Sequence, residues 1–207
     1  MTATNMRTPR DAWEHMTEIS ADADVRNFTQ VLDMSDYTVE TELFPLDVLD
    51  AYSAWNLGAE LTDDQRAHFN EERGGGQGDY RDGMPDKIAN VVDCLNRFPQ
   101  SKRAVITISN YPDANHESDE MAKCMRELHF NLDDGTLNAS VFFRAQAASI
   151  FPKNIHFIGT LMGEIARRLD ALPPVGTLHY LTSVLVCLLY TSPSPRDATL
   201  SRMPSSA

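Results

Sequence analysis

The chain has 207 residues, with 18 Lys plus Arg against 30 Asp plus Glu and a formal net charge of −12. Hydrophobic residues make up 42% and charged residues 23%, the balance of a globular domain and not of a disordered chain. So acidic a polypeptide lacks the clustered cations that a nucleic-acid polymer demands, although one cationic pocket for a single phosphate is compatible with it. No apolar run reaches the roughly 18 uncharged residues of a membrane span. The start, MTATNMRTPRDAWEH, has no apolar segment of the secretory kind. Cys94, Cys124 and Cys187 have neither metal-ligand spacing nor a disulfide framework, which fits a reducing, cytoplasmic setting. His116, His129, His156 and His179 also lack ligand spacing, so no metal is expected.

Residues 1–60 are acidic and weakly patterned, with helices expected over 10–19 and 46–55. Thr62 is placed to cap a polar, solvated helix over 62–73 by accepting a first-turn amide. Gly74, Gly75, Gly76 and Gly78 then form a connector, because no Lys-Ser/Thr pair or apolar helix follows as a phosphate loop requires. Ile88, Val91, Val92, Leu95 and Phe98 follow helical spacing, so an amphipathic helix is expected over 86–98, with Asp86 near its cap and Pro99 beyond its end. Cys94 adjoins that stripe and reads as a core thiol. A strand is expected over 104–109, then a polar loop, NYPDANHESDE.

Leu128, Phe130 and Leu132 alternate with polar residues, as do Leu137, Ala139, Val141 and Phe143. Asp133-Asp134-Gly135 between them reads as a hairpin turn. Arg144 ends the second run, and a charged Arg there invites an anionic partner. A helix is expected over 154–169, where Gly159 and Gly163 permit close packing against another element. Helices together with a long antiparallel meander imply α+β: a mixed, mostly antiparallel sheet packed by helices. Residues 1–85 are a divergent N-terminal region of the same domain, and 86–186 are its core.

Residues 187–207, CLLYTSPSPRDATLSRMPSSA, break the pattern. One reading is a disordered Ser/Pro tail. The preferred one is translated sequencing adapter, because CLLYTSPSPRD back-translates into a transposase end joined to an adapter, and SRMPSSA into the adapter's far end. On that reading the natural chain is cut off near Val186, and Cys187 takes no part in chemistry.

The second half resembles the thymidylate synthase and pyrimidine nucleotide hydroxymethylase family, and the resemblance rests on order and spacing. QSKRAVITISN stands where the family has Ser-Arg-Arg and a strand, NYPD where it has Asn-Pro-x-Asp, and AKCMRELHF where it has its nucleophile motif. FFRAQ, with Arg144 twenty residues after Cys124, matches Gln-Arg-Ser, and IFPKNIHFIG matches Pro-Phe-Asn and its helix. The sequence departs from the pattern at Ala122-Lys123, Met125, His129, Ala145 and Ala147.

The resemblance implies a thymidylate-synthase-like fold and a homodimer with sheets back to back. It implies methylation of dUMP at carbon 5 with 5,10-methylenetetrahydrofolate, through a covalent adduct on Cys124. Arg144 would bind the nucleotide phosphate, Lys102 and Arg103 would reach a partner's phosphate, and Asn154 would hold the base, favouring uracil over cytosine. Two alternatives stand beside it: a pyrimidine nucleotide hydroxymethylase, and a non-catalytic member that binds nucleotide or dimerises. A chain cut near Val186 would lack the closing segment and be inactive. Taken singly, Cys124 also fits a buried thiol, Arg144 a structural ion pair, Asn154 a helix cap, and Lys102-Arg103 a solvated turn.

Overall fold

The computed structural model describes residues 6–73, 78–108 and 123–187. Helix α1 spans Pro9–Ile19; Thr8 accepts the Asp11 amide at 3.1 Å and Pro9 opens the first turn. Strand β1 (Val25–Asp33) follows where no element was expected. Phe28, Gln30 and Leu32 face inward in alternation, but the inward Gln30 blurs the apolar pattern on which a strand assignment depends. Helix α2 (Leu46–Asn56) stands where expected.

The polar helix beyond it is much shorter than its sequence suggests. Thr62 and Gln65 form a reciprocal capping box on α3 (Asp63–Arg66), after which the chain leaves the helix and makes a single 3-10 turn, Glu71–Arg73. No apolar stripe holds a longer helix down. Helix α4 (Met84–Arg97) starts at a left-handed Gly83 with Pro85 in its first turn. Asp86 therefore lies inside the first turn and does not cap it. Cys94 is half-buried against the core, its thiol 3.2 Å from the Ser101 hydroxyl.

Strands β2 (Val105–Thr107), β3 (Met125–Asp133) and β4 (Thr136–Phe143) are consecutive in the sheet, and β3–β4 is a two-residue hairpin. Asp134 and Gly135 both have positive φ, as a tight primed turn requires. After Arg144 and Ala145 the chain resumes as β5 (Gln146–Ala147), makes a 3-10 turn over Ala148–Ile150, and enters α5 (Phe151–Arg168). Strand β6 (Val175–Val186) was not foreseen, because Thr182 occupies a fully buried position and interrupts the apolar alternation. The order is β1-β6-β4-β3-β2, with β5 beside the far end of β6. Strands β4 and β5 run parallel to β6, so α5 is their crossover; the other neighbours are antiparallel. This is the mixed, mostly antiparallel sheet packed by helices that the sequence implied. No helix among the described residues is long and apolar enough to cross a membrane.

The core lies between the sheet and α5, whose first half is buried on every side, including Lys153, Asn154 and His156. His156 Nδ1 lies 2.8 Å from the Ser53 hydroxyl, and burial lowers its pKa against the pull of Asp50, 3.6 Å from Nε2. Gly159 meets the close approach expected of it, since a Cβ there would overlap the Tyr37 ring, whereas Gly163 faces open space. Gly159→Ala should therefore destabilise the fold by about 2–3 kcal/mol through overpacking. A fall in urea midpoint at unchanged slope would measure it; an unchanged midpoint would mean that Tyr37 moves aside freely.

Candidate active site

Two of the sequence-derived residues, Cys124 and Arg144, meet where β3 begins and β4 ends. Cys124 is half-buried immediately before β3, next to an irregularity in the β3–β4 register between Met125 and Glu127. Such irregularities re-aim side chains at the ends of ladders. The Arg144 amide donates to the Cys124 carbonyl at 2.9 Å, and its Nε donates to the Lys123 carbonyl at 3.3 Å. Arg144 occupies the interruption between β4 and β5, outside both strands, and its side chain turns back over the segment that carries the thiol.

Asn154 enters from α5. It is not a cap, because the helix begins at Phe151 and the side chain is buried in a polar seam. Its Nδ2 donates to Gln146 Oε1 at 2.9 Å, and the Tyr180 hydroxyl donates to the same oxygen at 3.1 Å. Gln146 Nε2 donates to the Ala147 carbonyl at 2.8 Å, which fixes the orientation of that amide and in turn that of Asn154. Asn154 Oδ1 therefore faces the Tyr52 hydroxyl at 3.2 Å, but Tyr52 donates at 2.6 Å to the Gly78 carbonyl. The Tyr52 proton favours the shorter bond, leaving Asn154 Oδ1 a buried acceptor with unused capacity.

Sequence reasoning missed the surrounding groups. Asn56 ties Tyr52 to Tyr80: its Nδ2 donates to the Tyr52 carbonyl at 3.1 Å and its Oδ1 accepts the Tyr80 amide at 2.6 Å. The Tyr80 hydroxyl accepts the Met125 amide at 3.4 Å, one residue past the thiol. Burial drives the Tyr80, Tyr52 and Tyr180 phenols well above their ordinary pKa, and the charge of a Cys124 thiolate adds to all three. Lys153 is also buried, and its Nζ donates to the Arg73 carbonyl at 2.6 Å. The available signal for these residues was the polar set Gln146, Lys153 and Asn154 bordering a segment that otherwise reads as core.

Lys102 and Arg103 are not part of this cluster. Both are exposed on the turn between α4 and β2. Beside Tyr52 and Gly78 lies a cavity of about 250 Å³, lined also by Trp55, Leu61, Phe69, Arg66 and Asp79. The thiol and the guanidinium thus share one end of the sheet, and the Asn154 amide sits in a polar seam with Gln146, Tyr52 and Tyr180.

No protein-family model matches the chain, and no curated protein matches it in sequence. Among solved structures, thymidylate synthase from T4 phage superposes with a TM-score of 0.64 at 16% identity, over 95% of this chain and 81% of that one. At that identity the likeness speaks for architecture alone, and the chain has a thymidylate-synthase-like fold.

Proposed function

We propose that the chain belongs to a thymidylate-synthase-like methyltransferase acting on dUMP at carbon 5. The observation that carries this reading is the acceptor capacity left on Asn154 Oδ1, whose one donor among the described residues is the Tyr52 hydroxyl at 3.2 Å, in a seam whose amide orientations are fixed by Gln146 and the Ala147 carbonyl. Uracil presents an N3–H to such an acceptor, whereas cytosine presents a lone pair there. Cys124 is the nucleophile: its thiolate bonds to carbon 6, the ring double-bond electrons move toward carbon 5 and its neighbouring carbonyl, and carbon 5 becomes the attacking atom. Loss of the carbon 5 proton and scission of the S–C6 bond then regenerate the thiolate. Arg144 binds the phosphate.

5,10-Methylenetetrahydrofolate would supply the methylene and the hydride that makes it a methyl group. The cavity beside Tyr52 fits a flat conjugated ring, because Tyr52, Trp55 and Phe69 line it. The partner is a second copy of the chain. Phe142 and Leu181 pair across β4 and β6, each 37% exposed on the sheet face away from the helices, and Lys102 and Arg103 are free to reach a partner's nucleotide. The setting is the cytoplasm.

Tritium released to water from carbon 5 of labelled dUMP, with methylenetetrahydrofolate present, tests the reaction. No release from a folded protein spanning the complete gene product would overturn it, and product mass separates methylation from hydroxymethylation. Asn154→Asp should weaken dUMP binding about a hundredfold, because a carboxylate that has lost Nδ2 faces the acceptor Gln146 Oε1. Titration calorimetry would read the loss, and unchanged affinity would remove Asn154 from the base site.

A further inference from the structure

Lys153 has no role in the reaction as proposed above. Its side chain is 3% exposed, and among the described residues its only hydrogen bond is to the Arg73 carbonyl, with no carboxylate within ion-pair reach. Its Nζ sits 4.8 Å from the centre of the Tyr52 ring. Buried ammonium groups are ordinarily paired or displaced to the surface, so one held here by a carbonyl and an aromatic face needs a reason.

The segment Gly78–Tyr80 links it to the thiol. A Cβ on Gly78 would lie 3.2 Å from Lys153 Nζ and would overlap the Tyr52 hydroxyl. Two residues on, the Tyr80 hydroxyl accepts the amide that follows Cys124. We propose that Lys153 is a positioning residue for Cys124, a buried positive charge against the Tyr52 ring toward which the thiolate forms. The resemblance places an apolar Phe at this position, so the device is this chain's own.

The electrostatics agree with the geometry. Burial lowers the Lys153 pKa to about 8, and the charge of a Cys124 thiolate acts in the opposite direction. The coupling is reciprocal, so the ammonium favours the thiolate equally. Among the described residues, the other ionisable groups around the pair include Tyr52 from α2, His68 and Arg73 from the segment after α3, Asp79 and Tyr80 before α4, Lys123 and Arg126 beside the thiol, Arg144 after β4, and Tyr180 from β6. The guanidinium of Arg73 is directed to the Leu43 and His68 carbonyls. The three phenols are neutral through the working pH range. Among the described residues, Lys153 and Arg144 are the cluster's cations, and Lys123 and Arg126 flank the thiol in sequence.

The inference rests on Cys124 being the nucleophile, but its test does not use turnover. Iodoacetamide alkylation is followed from pH 6 to 10 by peptide mass spectrometry, with Cys94 as an internal control. Lys153→Met removes a desolvated charge at similar length, so folding is not threatened. Its Cys124 profile should shift upward, with alkylation about threefold to tenfold slower at pH 7. Cys94 should not change, and Lys153→Arg should restore the unaltered profile. Superimposable Cys124 profiles, or an equal shift at Cys94, would overturn the inference. A Cys124 shift in a protein that releases no tritium would keep this coupling and discard the proposed reaction.

Discussion

Cys124→Ala should lower tritium release from dUMP at least a thousandfold, roughly the scale expected when a covalent step loses its nucleophile. Stability should move by less than about 1 kcal/mol, since the thiol is only half-buried. The substitution also removes the negative charge that supports the Lys153 ammonium and raises the three phenols. The Lys153 titration should therefore move further down in the variant, visible by NMR of labelled lysine side chains. Retained release would remove Cys124 from the chemistry and assign the bond to carbon 6 to another group.

The second large effect is on stability above neutral pH. Lys153 has a folded pKa of about 8 against an ordinary 10.5, so between those values the unfolded chain binds the additional proton. Stability then rises with pH, by roughly 3 kcal/mol over the full interval. In the opposite sense, Tyr52, Tyr80 and Tyr180 hold their protons well above 10 when folded, while the unfolded chain releases them near 10. Stability falls there at about 4 kcal/mol per pH unit for the three together. Urea titrations from pH 7 to 11 should show a maximum between about pH 9 and 10. Lys153→Met should abolish the rise and leave the fall. A monotonic decline from pH 8 in the unaltered chain would contradict the buried ammonium.

Helices α1, α2, α4 and α5 and the hairpin were legible from apolar spacing and turn residues, whereas the polar α3, with no buried face, is far shorter than expected. The Asp134-Gly135 turn set the β3–β4 register, and Pro9, Pro85 and Pro152 stand in the first turns of α1, α4 and α5. Strands β1 and β6 were not legible, since Gln30 and Thr182 point inward and spoil the alternation. At the candidate site, Cys124, Arg144 and Asn154 were singled out by the order of motifs along the chain, helped by the twenty-residue interval from Cys124 to Arg144. Tyr52, Tyr80, Gln146 and Lys153 were not singled out because each works through a partner distant in sequence, and no local pattern encodes a bond such as that between Tyr180 and Gln146.

The strand order also decides when the domain can assemble. Val25 in β1 pairs with Leu185 in β6, and β6 separates β1 from β4. The β3–β4 hairpin can form from its own turn, but β1 has no neighbour in the sheet until almost all of the described chain has left the ribosome. Until then one side of β4 is an unsatisfied edge, open to pairing with another nascent chain. Contacts so distant in sequence make folding slow. Synthesis rate and chaperone access should therefore govern the yield of this protein more strongly than its final stability does.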